Sequence, residues 1–282
     1  MTAPLLDVAG LDVTFHGAGG VTPAVRGVSF QLGRERLGIV GESGSGKSTT
    51  GRAVLGLVPP SATMSARRLA FQGQDLRGLA PRHWQRLRGR RMAMVMQDPK
   101  FSLNPVMAVG TQVAEAWRLH HRGTAAEARR RAVAMLEAVR IDDPERVMRL
   151  YPHQLSGGMG QRVMIAAMLI AEPELLIADE AISALDVTVG NEVLRILDRL
   201  VAERGMGLIF ISHNLAAVAG LCDRVLVMYG GRVVEDCAAA DLARARHPYT
   251  RALLEVAPRL DAPRDTLATV RRDPAWLEDV PA

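Results

Sequence analysis

Residues 41–48, GESGSGKS, are the feature that most constrains this chain, because they match the pattern G-x-x-x-x-G-K-[ST] at every fixed position. A short apolar run at 36–40 precedes the motif, and residues 48–57 carry apolar side chains at helical spacing. The glycines therefore lie on a strand-to-helix turn, which is the setting that a phosphate-binding loop requires. The alternative, a glycine-rich turn beside a surface lysine, does not explain why strand, complete motif and helix coincide.

The residue types in this loop are those that phosphate binding requires. Glycines let the backbone turn tightly around an anion and direct N–H groups at it, and the helix N-terminus adds a favourable dipole. Lys47 is predicted to reach the β- and γ-phosphates of a nucleotide, and the Ser48 hydroxyl to complete the ligand shell of Mg²⁺. The residues predicted to bind nucleotide here are Gly41, Ser43, Gly44, Gly46, Lys47, Ser48 and Thr49.

The composition is that of a globular protein. The 282 residues are 48% hydrophobic and 23% charged, and no uncharged apolar run reaches the roughly 18 residues of a membrane span. The N-terminal residues lack the pattern of a secretion signal, so none is expected. Cys222 and Cys237 stand outside metal-binding spacings, which favours a reducing cytoplasm.

The charge balance does not indicate a nucleic-acid-binding protein. The net charge is only +5, from 35 basic and 30 acidic residues, and the aromatic content of 4% leaves little for base stacking. Arginine clusters at 86–91 and 129–131 are candidates for contact with phosphates or anionic lipid, but solvated helix faces are the more usual explanation.

Strands and helices take turns along much of the chain. Apolar alternation at 5–15, followed by a glycine turn and a second run at 25–32, predicts a small antiparallel layer. Helical spacing without strand-like runs predicts a mostly helical insertion at 98–170. Short apolar runs predict buried strands of a parallel sheet with right-handed crossovers at 92–96, 175–178, 208–212 and 224–229.

An acidic pair ends one of these strands. Asp179 and Glu180 follow the apolar run LLIA, so a buried strand presents two neighbouring carboxylates. Asp179 is predicted to hold Mg²⁺, and Glu180 to act as the general base that polarises an attacking water. The alternative is that the two acids only cap the end of a strand.

Three other features are predicted to contact a nucleotide together with the phosphate loop. Gln97 and His213 each follow a strand run and are predicted to contact Mg²⁺ or water and the γ-phosphate, respectively. A surface glutamine and a structural histidine are the alternatives. The turn LSGGMGQ, with Ser156, Gly157 and Gly158 at a helix start, is predicted to be a second anion-binding turn.

These motifs together resemble the ATPase subunits of ABC transporters. Phe15, GESGSGKS, Gln97, LSGGMGQ, LLIADE, SALD at 183–186 and His213 stand in the order seen in that family, over nearly the whole chain. The resemblance implies that ATP and Mg²⁺ are the cofactors and that Phe15 stacks on adenine.

The resemblance also implies a head-to-tail dimer. In that family each ATP lies between the phosphate loop of one subunit and the LSGG turn, or signature motif, of the other. Ser156, Gly157 and Gly158 are therefore expected to bind the ATP of the partner subunit, and Asp186 to link the two sites across the dimer.

The fold implied is α/β: a P-loop NTPase (RecA-like) core with a mostly parallel sheet, an N-terminal antiparallel β subdomain and an inserted α-helical subdomain. We expect three parts. They are a nucleotide-binding core with the antiparallel subdomain at 1–97 and 171–235, a helical subdomain with the signature motif at 98–170, and a C-terminal extension of the peptide/nickel importer type at 236–282.

Longer phrases are similar to the ATP-binding subunits of oligopeptide, dipeptide and nickel importers. They are MVMQDPKFSLNPVM, GQRVMIAAMLIAEPELLIADE, GLIFISHNL, VLVMYGGRVVE and RHPYTRALLEVAPRLD. This implies a second ATPase subunit, identical or different, two membrane permease subunits, an extracytoplasmic solute-binding protein and a peripheral location on the cytoplasmic face of the membrane. Phe101, Leu103 and Pro105 are expected to line the groove for a membrane subunit, with core packing as the alternative.

The chain departs from the family at a few positions. Ala181 and Ile182 stand where proline and threonine are common, and Asn214 replaces the usual aspartate after the histidine. Cys222 and Cys237 do not match the cysteine cluster of some relatives, so no iron–sulfur centre is expected. Hydrolysis is expected because the contact-making residues are retained.

Two other functions are alternatives for a chain with these motifs. The first is a soluble ABC ATPase acting on ribosomes or DNA, although such proteins usually carry two nucleotide-binding domains or coiled-coil insertions. The second is a regulatory ABC subunit with weak hydrolysis, which Ala181 makes more plausible.

Overall fold

The computed structural model describes residues 3–17, 19–256 and 273–277. Strands in these ranges are β1 (Leu6–Gly17), β2 (Gly20–Leu32), β3 (Arg36–Val40), β4 (Ala62–Ser65), β5 (Arg68–Phe71), β6 (Gln74–Asp75), β7 (Met92–Val95), β8 (Leu175–Asp179), β9 (Gly207–Ile211), β10 (Arg224–Tyr229) and β11 (Arg232–Ala238). Helices are α1 (Lys47–Val54), α2 (Pro81–Leu87), α3 (Pro99–Ser102), α4 (Val109–Arg118), α5 (Ala125–Ala138), α6 (Pro144–Val147), α7 (Gly157–Leu169), α8 (Val187–Arg204), α9 (Leu215–Leu221) and α10 (Pro248–Val256). Short 3₁₀ segments lie at Pro152–Gln154, Ala239–Arg244 and Pro274–Leu277.

The chain divides into two compact units. The first unit comprises Met1–Leu79 and Ile209–Ala282, and the second unit comprises Ala80–Leu208. The boundary falls inside β9. The predicted boundaries at 97/98, 170/171 and 235/236 stay a prediction.

The first unit contains the predicted antiparallel layer. β1 pairs with β2, with Leu6 opposite Leu32, and its other edge pairs with β4 and β5. Leu11 and Val13 are fully buried while Asp12 between them is exposed, as the period of two in a strand requires. The apolar residues at every second position of β1 therefore mark the buried face of this layer.

The first unit also contains part of a parallel sheet. β3 and β10 pair in parallel, with Arg224 opposite Leu37, and β10 turns through Gly230-Gly231 into the antiparallel β11. Leu37, Ile39 and Val227 are fully buried, which explains why these strands read as continuous apolar runs rather than as alternating ones.

The second unit pairs β7 and β8 in parallel, with Met92 opposite Leu175. Helices α3 to α7 follow β7, and the described residues 98–170 contain no strand, as the sequence predicts. Helix α7 is apolar on most sides and largely buried. Gly205 directly follows α8 and adopts the left-handed conformation common after a helix (φ 57°).

Arginines of the two clusters have partners within the second unit. The Arg88 guanidinium lies 4.8 Å from the ring centroid of Trp84, Arg91 pairs with Glu174 at 2.8 Å, and Arg129 pairs with Glu145. These contacts favour a structural role for these three over phosphate binding. None of the described helices combines the length and the apolar character needed to cross a lipid bilayer.

Candidate nucleotide-binding site

The phosphate loop of the first unit connects the end of β3 to the start of α1. Gly46 precedes the helix with φ 98°, and a Cβ there would lie 2.4 Å from the backbone oxygen of Ala24. A Cβ at Gly41 (φ 148°) would lie 2.2 Å from the backbone oxygen of Met228. Glycine is thus required at both positions by conformation and by space.

Lys47 is directed back over the loop. Its side chain is buried, and its Nζ donates to the carbonyl oxygens of Gly41 at 2.8 Å and Glu42 at 2.7 Å. Ser43 and Gly44 are exposed at the tip of the loop. The ammonium group is therefore held over the loop that the sequence predicts to surround a phosphate.

Ser48 and Thr49 occupy the first turn of α1 and are half-buried. Thr50 anchors this turn, since its backbone N–H and its Oγ1 both donate to the Gly46 carbonyl, at 2.8 and 3.0 Å. The first turn is consequently well fixed.

Tyr249 contacts the phosphate loop and was not predicted as a site residue. Its hydroxyl accepts a hydrogen bond of 2.8 Å from the backbone N–H of Glu42, and the whole residue is buried. The RHPYT phrase marks this segment in the sequence, but no spacing or periodicity indicates a contact across 207 positions.

The other predicted residues of the first unit lie at strand ends. Phe15 is half-buried near the end of β1, opposite Thr22 of β2 and Ala62 of β4. His213 is exposed two residues after β9 ends. These placements leave the Phe15 ring and the His213 imidazole partly or largely accessible.

In the second unit, β8 carries the acidic pair at its carboxyl end. Asp179 is its last residue and is only 3% exposed, whereas Glu180 is half-buried with φ 53°, a left-handed conformation that non-glycine residues seldom adopt. The Glu180 carbonyl accepts hydrogen bonds from the backbone N–H and the hydroxyl of Ser183 at 3.1 and 3.0 Å. The turn after β8 therefore fixes the backbone of Glu180.

Gln97 is exposed two residues beyond β7. The following residue, Asp98, begins α3 by accepting a hydrogen bond from the Lys100 backbone N–H at 2.8 Å. The position of Gln97 is thus fixed between a buried strand and a capped helix, with its amide facing solvent.

The signature motif forms the start of α7. The Ser156 hydroxyl caps this helix by accepting from the Met159 backbone N–H at 3.3 Å, and both Ser156 and Gly157 are exposed. A Cβ at Gly158 would lie 2.5 Å from Cγ1 of Val189. Gly158 therefore allows α8 to approach closely, while the N-terminus of α7 stays open to solvent.

Asp186 caps α8. Its exposed carboxylate accepts hydrogen bonds from the backbone N–H groups of Thr188 and Val189 at 3.1 and 3.0 Å. Because Val189 also contacts the Gly158 position, the cap and the signature turn are joined through one side chain. The sequence did not reveal this link.

Leu103 does not match the predicted groove for a membrane subunit. It is only 6% exposed, so core packing is the correct interpretation for this residue. Pro105 is exposed, as is the neighbouring Val106 at 80%. The side chain of Phe101 lies outside the part of the chain that the structure describes.

The model of the family described as ABC transporter matches residues 25–183, which contain the phosphate loop, the signature motif and the acidic pair. This chain belongs to the ABC transporter family.

The similarity to individual ABC proteins extends over most of the chain. The probable peptide ABC transporter ATP-binding protein y4tR of Sinorhizobium fredii is 49% identical over 257 residues, which are 90% of this chain and 77% of that protein. The oligopeptide transport ATP-binding protein OppD of Escherichia coli is 44% identical over 279 residues, 98% of this chain and 82% of that protein. The dimeric structure of MJ0796, a bacterial ABC transporter cassette, is similar with a TM-score of 0.75 and 25% identity, over 83% of this chain and 98% of that one.

These similarities confirm the predicted fold class, an α/β P-loop NTPase fold. They also confirm that the protein is an ATP-binding and ATP-hydrolysing subunit of the ABC type.

One departure from the ABC pattern has a structural explanation. The Asn214 side-chain oxygen caps α9 by accepting from the Ala217 backbone N–H at 3.0 Å, a role that aspartate also performs. Ala181 is buried, and nothing in the structure explains why it stands in place of proline.

The two thiols are poorly suited to binding iron in this ABC subunit. Burial and, secondarily, the neighbouring Asp223 raise the pKa of Cys222 to about 12. Burial, with the nearby carboxylates of Glu235 and Asp236, raises the pKa of Cys237 to about 11. Metals bind the thiolate form, which both environments disfavour. The absence of an iron–sulfur centre stays a prediction.

Proposed function

We propose that this protein is the ATP-hydrolysing subunit of an ABC importer for peptides. The observation that carries the proposal is that the chain has two separate glycine turns at helix starts, the phosphate loop before α1 and the exposed signature turn before α7, and both are of the kind predicted to bind anions. Two turns of this kind suit a dimer in which each ATP is bound by the phosphate loop of one subunit and the signature motif of the other. The relative MJ0796 is described as a dimeric cassette, which supports this arrangement.

The first unit binds most of the nucleotide in this proposal. Phe15 stacks on adenine, and its half-buried position in β1 leaves ring surface for that contact. Backbone N–H groups of the glycine loop and the Lys47 ammonium hold the phosphates. The residues assigned to this task are Gly41, Ser43, Gly44, Gly46, Lys47, Ser48 and Thr49.

Ser48, Gln97 and Asp179 are the proposed ligands of Mg²⁺. They supply hydroxyl, amide and carboxylate oxygens, the donor types that this hard cation prefers. The burial of Asp179 suits a carboxylate that faces a cation rather than solvent. An Mg²⁺ ion held by these residues would neutralise charge on the transferring phosphoryl group.

Glu180 is the proposed general base. Its carboxylate accepts a proton from the water that attacks the γ-phosphate, while the turn after β8 keeps its backbone fixed. His213 donates a hydrogen bond to the γ-phosphate and thereby stabilises the developing charge.

Ser156, Gly157 and Gly158 bind the ATP of a second ABC subunit in this proposal. The exposed N-terminus of α7 offers N–H groups and a hydroxyl to a phosphate. Asp186 is joined to this turn through Val189. In this proposal it couples closure of one ATP site of the dimer to closure of the other. The second subunit is either identical or different.

Two membrane permease subunits, and indirectly an extracytoplasmic solute-binding protein, complete the proposed importer. The protein then works as a peripheral subunit on the cytoplasmic face of the membrane. The similarity to proteins named for peptide and oligopeptide transport favours peptides over nickel as the solute.

The proposal is tested by measuring ATP binding and steady-state hydrolysis by the purified protein with Mg²⁺. Lys47→Ala is expected to lose ATP affinity, and Glu180→Gln to retain ATP while turnover falls at least about 100-fold. Glu203→Gln, which changes an exposed carboxylate of α8, is the matched control and keeps wild-type turnover. Robust turnover by Glu180→Gln would remove that residue from the base role.

The regulatory alternative is tested by the effect of the membrane partners. We expect turnover to rise when the permease subunits are added in detergent or vesicles. Turnover that stays weak with and without them would favour a regulatory subunit. Co-purification with ribosomes that survives high salt would instead favour the soluble ABC class.

A further inference from the structure

The loop peptide between Gly41 and Glu42 is held from two sides. Its carbonyl oxygen, on Gly41, accepts from Lys47 Nζ at 2.8 Å, and its N–H, on Glu42, donates to the Tyr249 hydroxyl at 2.8 Å. Lys47 belongs to the phosphate loop itself, whereas Tyr249 belongs to α10 and lies 207 positions after Glu42 in the chain. The C-terminal part of the first unit thus contributes directly to the geometry of the loop.

Tyr249 is itself fixed by a set of directional contacts. Its backbone N–H donates to Nδ1 of the buried His247 at 3.2 Å, so that nitrogen acts as an acceptor. The other ring nitrogen, Nε2, therefore carries the hydrogen and donates to the Trp276 carbonyl at 3.1 Å. One imidazole in a single tautomer connects the tyrosine backbone to the segment Asp273–Leu277.

Ring packing holds the tyrosine side chain. The Tyr249 ring centroid lies 4.4 Å from that of Tyr229 and 5.4 Å from that of Trp276. Tyr229 also donates its hydroxyl to the Asp273 carbonyl at 3.3 Å. The segment Asp273–Leu277 therefore closes over the two tyrosines, and only Tyr249 of the pair contacts the phosphate loop through its hydroxyl.

We propose that Tyr249 is a positioning residue for ATP binding, and that the segment Asp273–Leu277 acts on the phosphate loop by fixing Tyr249. The inference rests on the proposed role of residues 41–48 as the ATP-binding loop. A loop held in its binding conformation loses less conformational freedom when phosphate binds, so its affinity is higher. Without the hydroxyl, the Glu42 N–H loses its acceptor and the loop becomes free to rearrange.

Tyr249→Phe is the direct test, because it removes the hydroxyl and keeps the ring. We expect the Kd and KM for ATP to rise about five- to tenfold. The kcat should stay within about twofold of wild type, because the hydroxyl touches the loop backbone and not the reacting atoms. If the hydroxyl only stabilised the fold, Tyr249→Phe would lower the melting temperature but would not raise KM while leaving kcat unchanged.

Tyr229→Phe is the matched control. It removes a hydroxyl from the same aromatic cluster, but that hydroxyl donates to a carbonyl of the C-terminal segment rather than to the loop. Because the ring contacts of Tyr249 with Tyr229 and Trp276 remain, the ATP Kd is expected to rise by no more than about twofold, clearly less than in Tyr249→Phe. The proposal fails if Tyr249→Phe leaves ATP affinity unchanged, or if both variants change affinity and melting temperature alike.

Lys47→Ala separates this inference from the proposed function. If Lys47→Ala leaves ATP affinity intact, the loop assignment itself is wrong. If Lys47→Ala weakens binding and Tyr249→Phe does not, only the positioning role is wrong.

A double-mutant cycle tests the link to the C-terminal segment. Trp276→Ala is expected to weaken ATP binding about threefold in the wild-type background and to have no further effect in Tyr249→Phe, because the two residues act through the same hydroxyl. Additive losses would show that the segment does not act through Tyr249.

Discussion

Gly158 lies so close to Val189 that a Cβ at position 158 would come within 2.5 Å of the valine Cγ1. We predict that Gly158→Ala lowers the free energy of unfolding by about 1–3 kcal/mol, because the added methyl group forces α8 away from the signature turn. Urea denaturation measures the change. Gly157→Ala is the matched control, since its nearest neighbour, Cδ2 of Leu185, would lie 3.9 Å from the new Cβ, an ordinary contact distance.

The same contact predicts a rescue. Val189→Ala removes the clashing methyl group and should recover part of the stability lost in Gly158→Ala. A double variant no more stable than Gly158→Ala alone would show that the two side chains do not compete for this space.

Comparing Gly46 with Gly44 separates two costs of replacing a glycine. One is the strain of a positive φ, and the other is the steric clash of the added Cβ. Both have positive φ, 98° and 85°, but only a Cβ at Gly46 meets a backbone atom, the Ala24 oxygen at 2.4 Å. We expect Gly44→Ala to lose about 1–2 kcal/mol of stability from conformation alone. Gly46→Ala should lose at least about 1 kcal/mol more, with loss of ATP binding. Equal losses in urea denaturation would contradict the steric argument.

Asn214 is predicted to contribute to stability through its cap on α9. Asn214→Ala should lower the free energy of unfolding by about 1 kcal/mol, because the Ala217 N–H loses its acceptor. Asn214→Asp should retain the cap and add about 0.3–1 kcal/mol at low salt through the helix dipole. Thermal unfolding at low and high salt measures both effects, and an Asn214→Asp variant as unstable as Asn214→Ala would exclude the cap.

The raised pKa values of the two thiols predict their reactivity and their pH dependence. With pKa values of about 12 for Cys222 and about 11 for Cys237, both stay protonated near pH 8 and should react slowly with iodoacetamide. The buried Cys222 should be the slower. Mass spectrometry of Cys222→Ser and Cys237→Ser, native and in urea, assigns each rate, and rapid native labelling of Cys222 would contradict its burial.

The same pKa values determine whether the free energy of unfolding rises or falls with pH. The folded protein keeps these protons where the unfolded chain, with an ordinary thiol pKa near 9, gives them up. Their contribution to stability is therefore complete below about pH 9 and is lost as the pH rises toward about 12. The serine variants should show a smaller loss over this interval.

Features determined by neighbouring residues could be predicted from the sequence. The strand at Arg224–Tyr229 agrees with its apolar run, and Arg36–Val40, the glycine loop and the helix after it follow in the expected order. The spacing of apolar residues predicts these strands and this helix, because residues two positions apart in a strand, or three to four apart in a helix, lie on the same face. A start signal for α2 was present but missed, since Pro81 occupies its first turn.

Contacts between distant positions could not be predicted in this way. The Glu42–Tyr249 hydrogen bond and the Gly158–Val189 contact depend on how elements pack after they have formed. Neither propensity nor spacing contains that information. The four-residue strand β4 was missed because its exposed and half-buried residues produce no apolar run.

The phosphate loop appears early in the chain but receives its supports from residues synthesised much later. Its neighbours include the Met228 carbonyl, the Gly231 N–H, which donates to the Ser45 carbonyl at 3.2 Å, and the Tyr249 hydroxyl. At roughly 5–20 residues per second, the ribosome takes about 10–40 s to cover the intervening 200 or so positions. During that interval the nascent chain carries a complete nucleotide motif without the backbone that shapes it. We therefore expect the loop to reach its binding conformation only after residues 228–249 have been synthesised and have folded onto it.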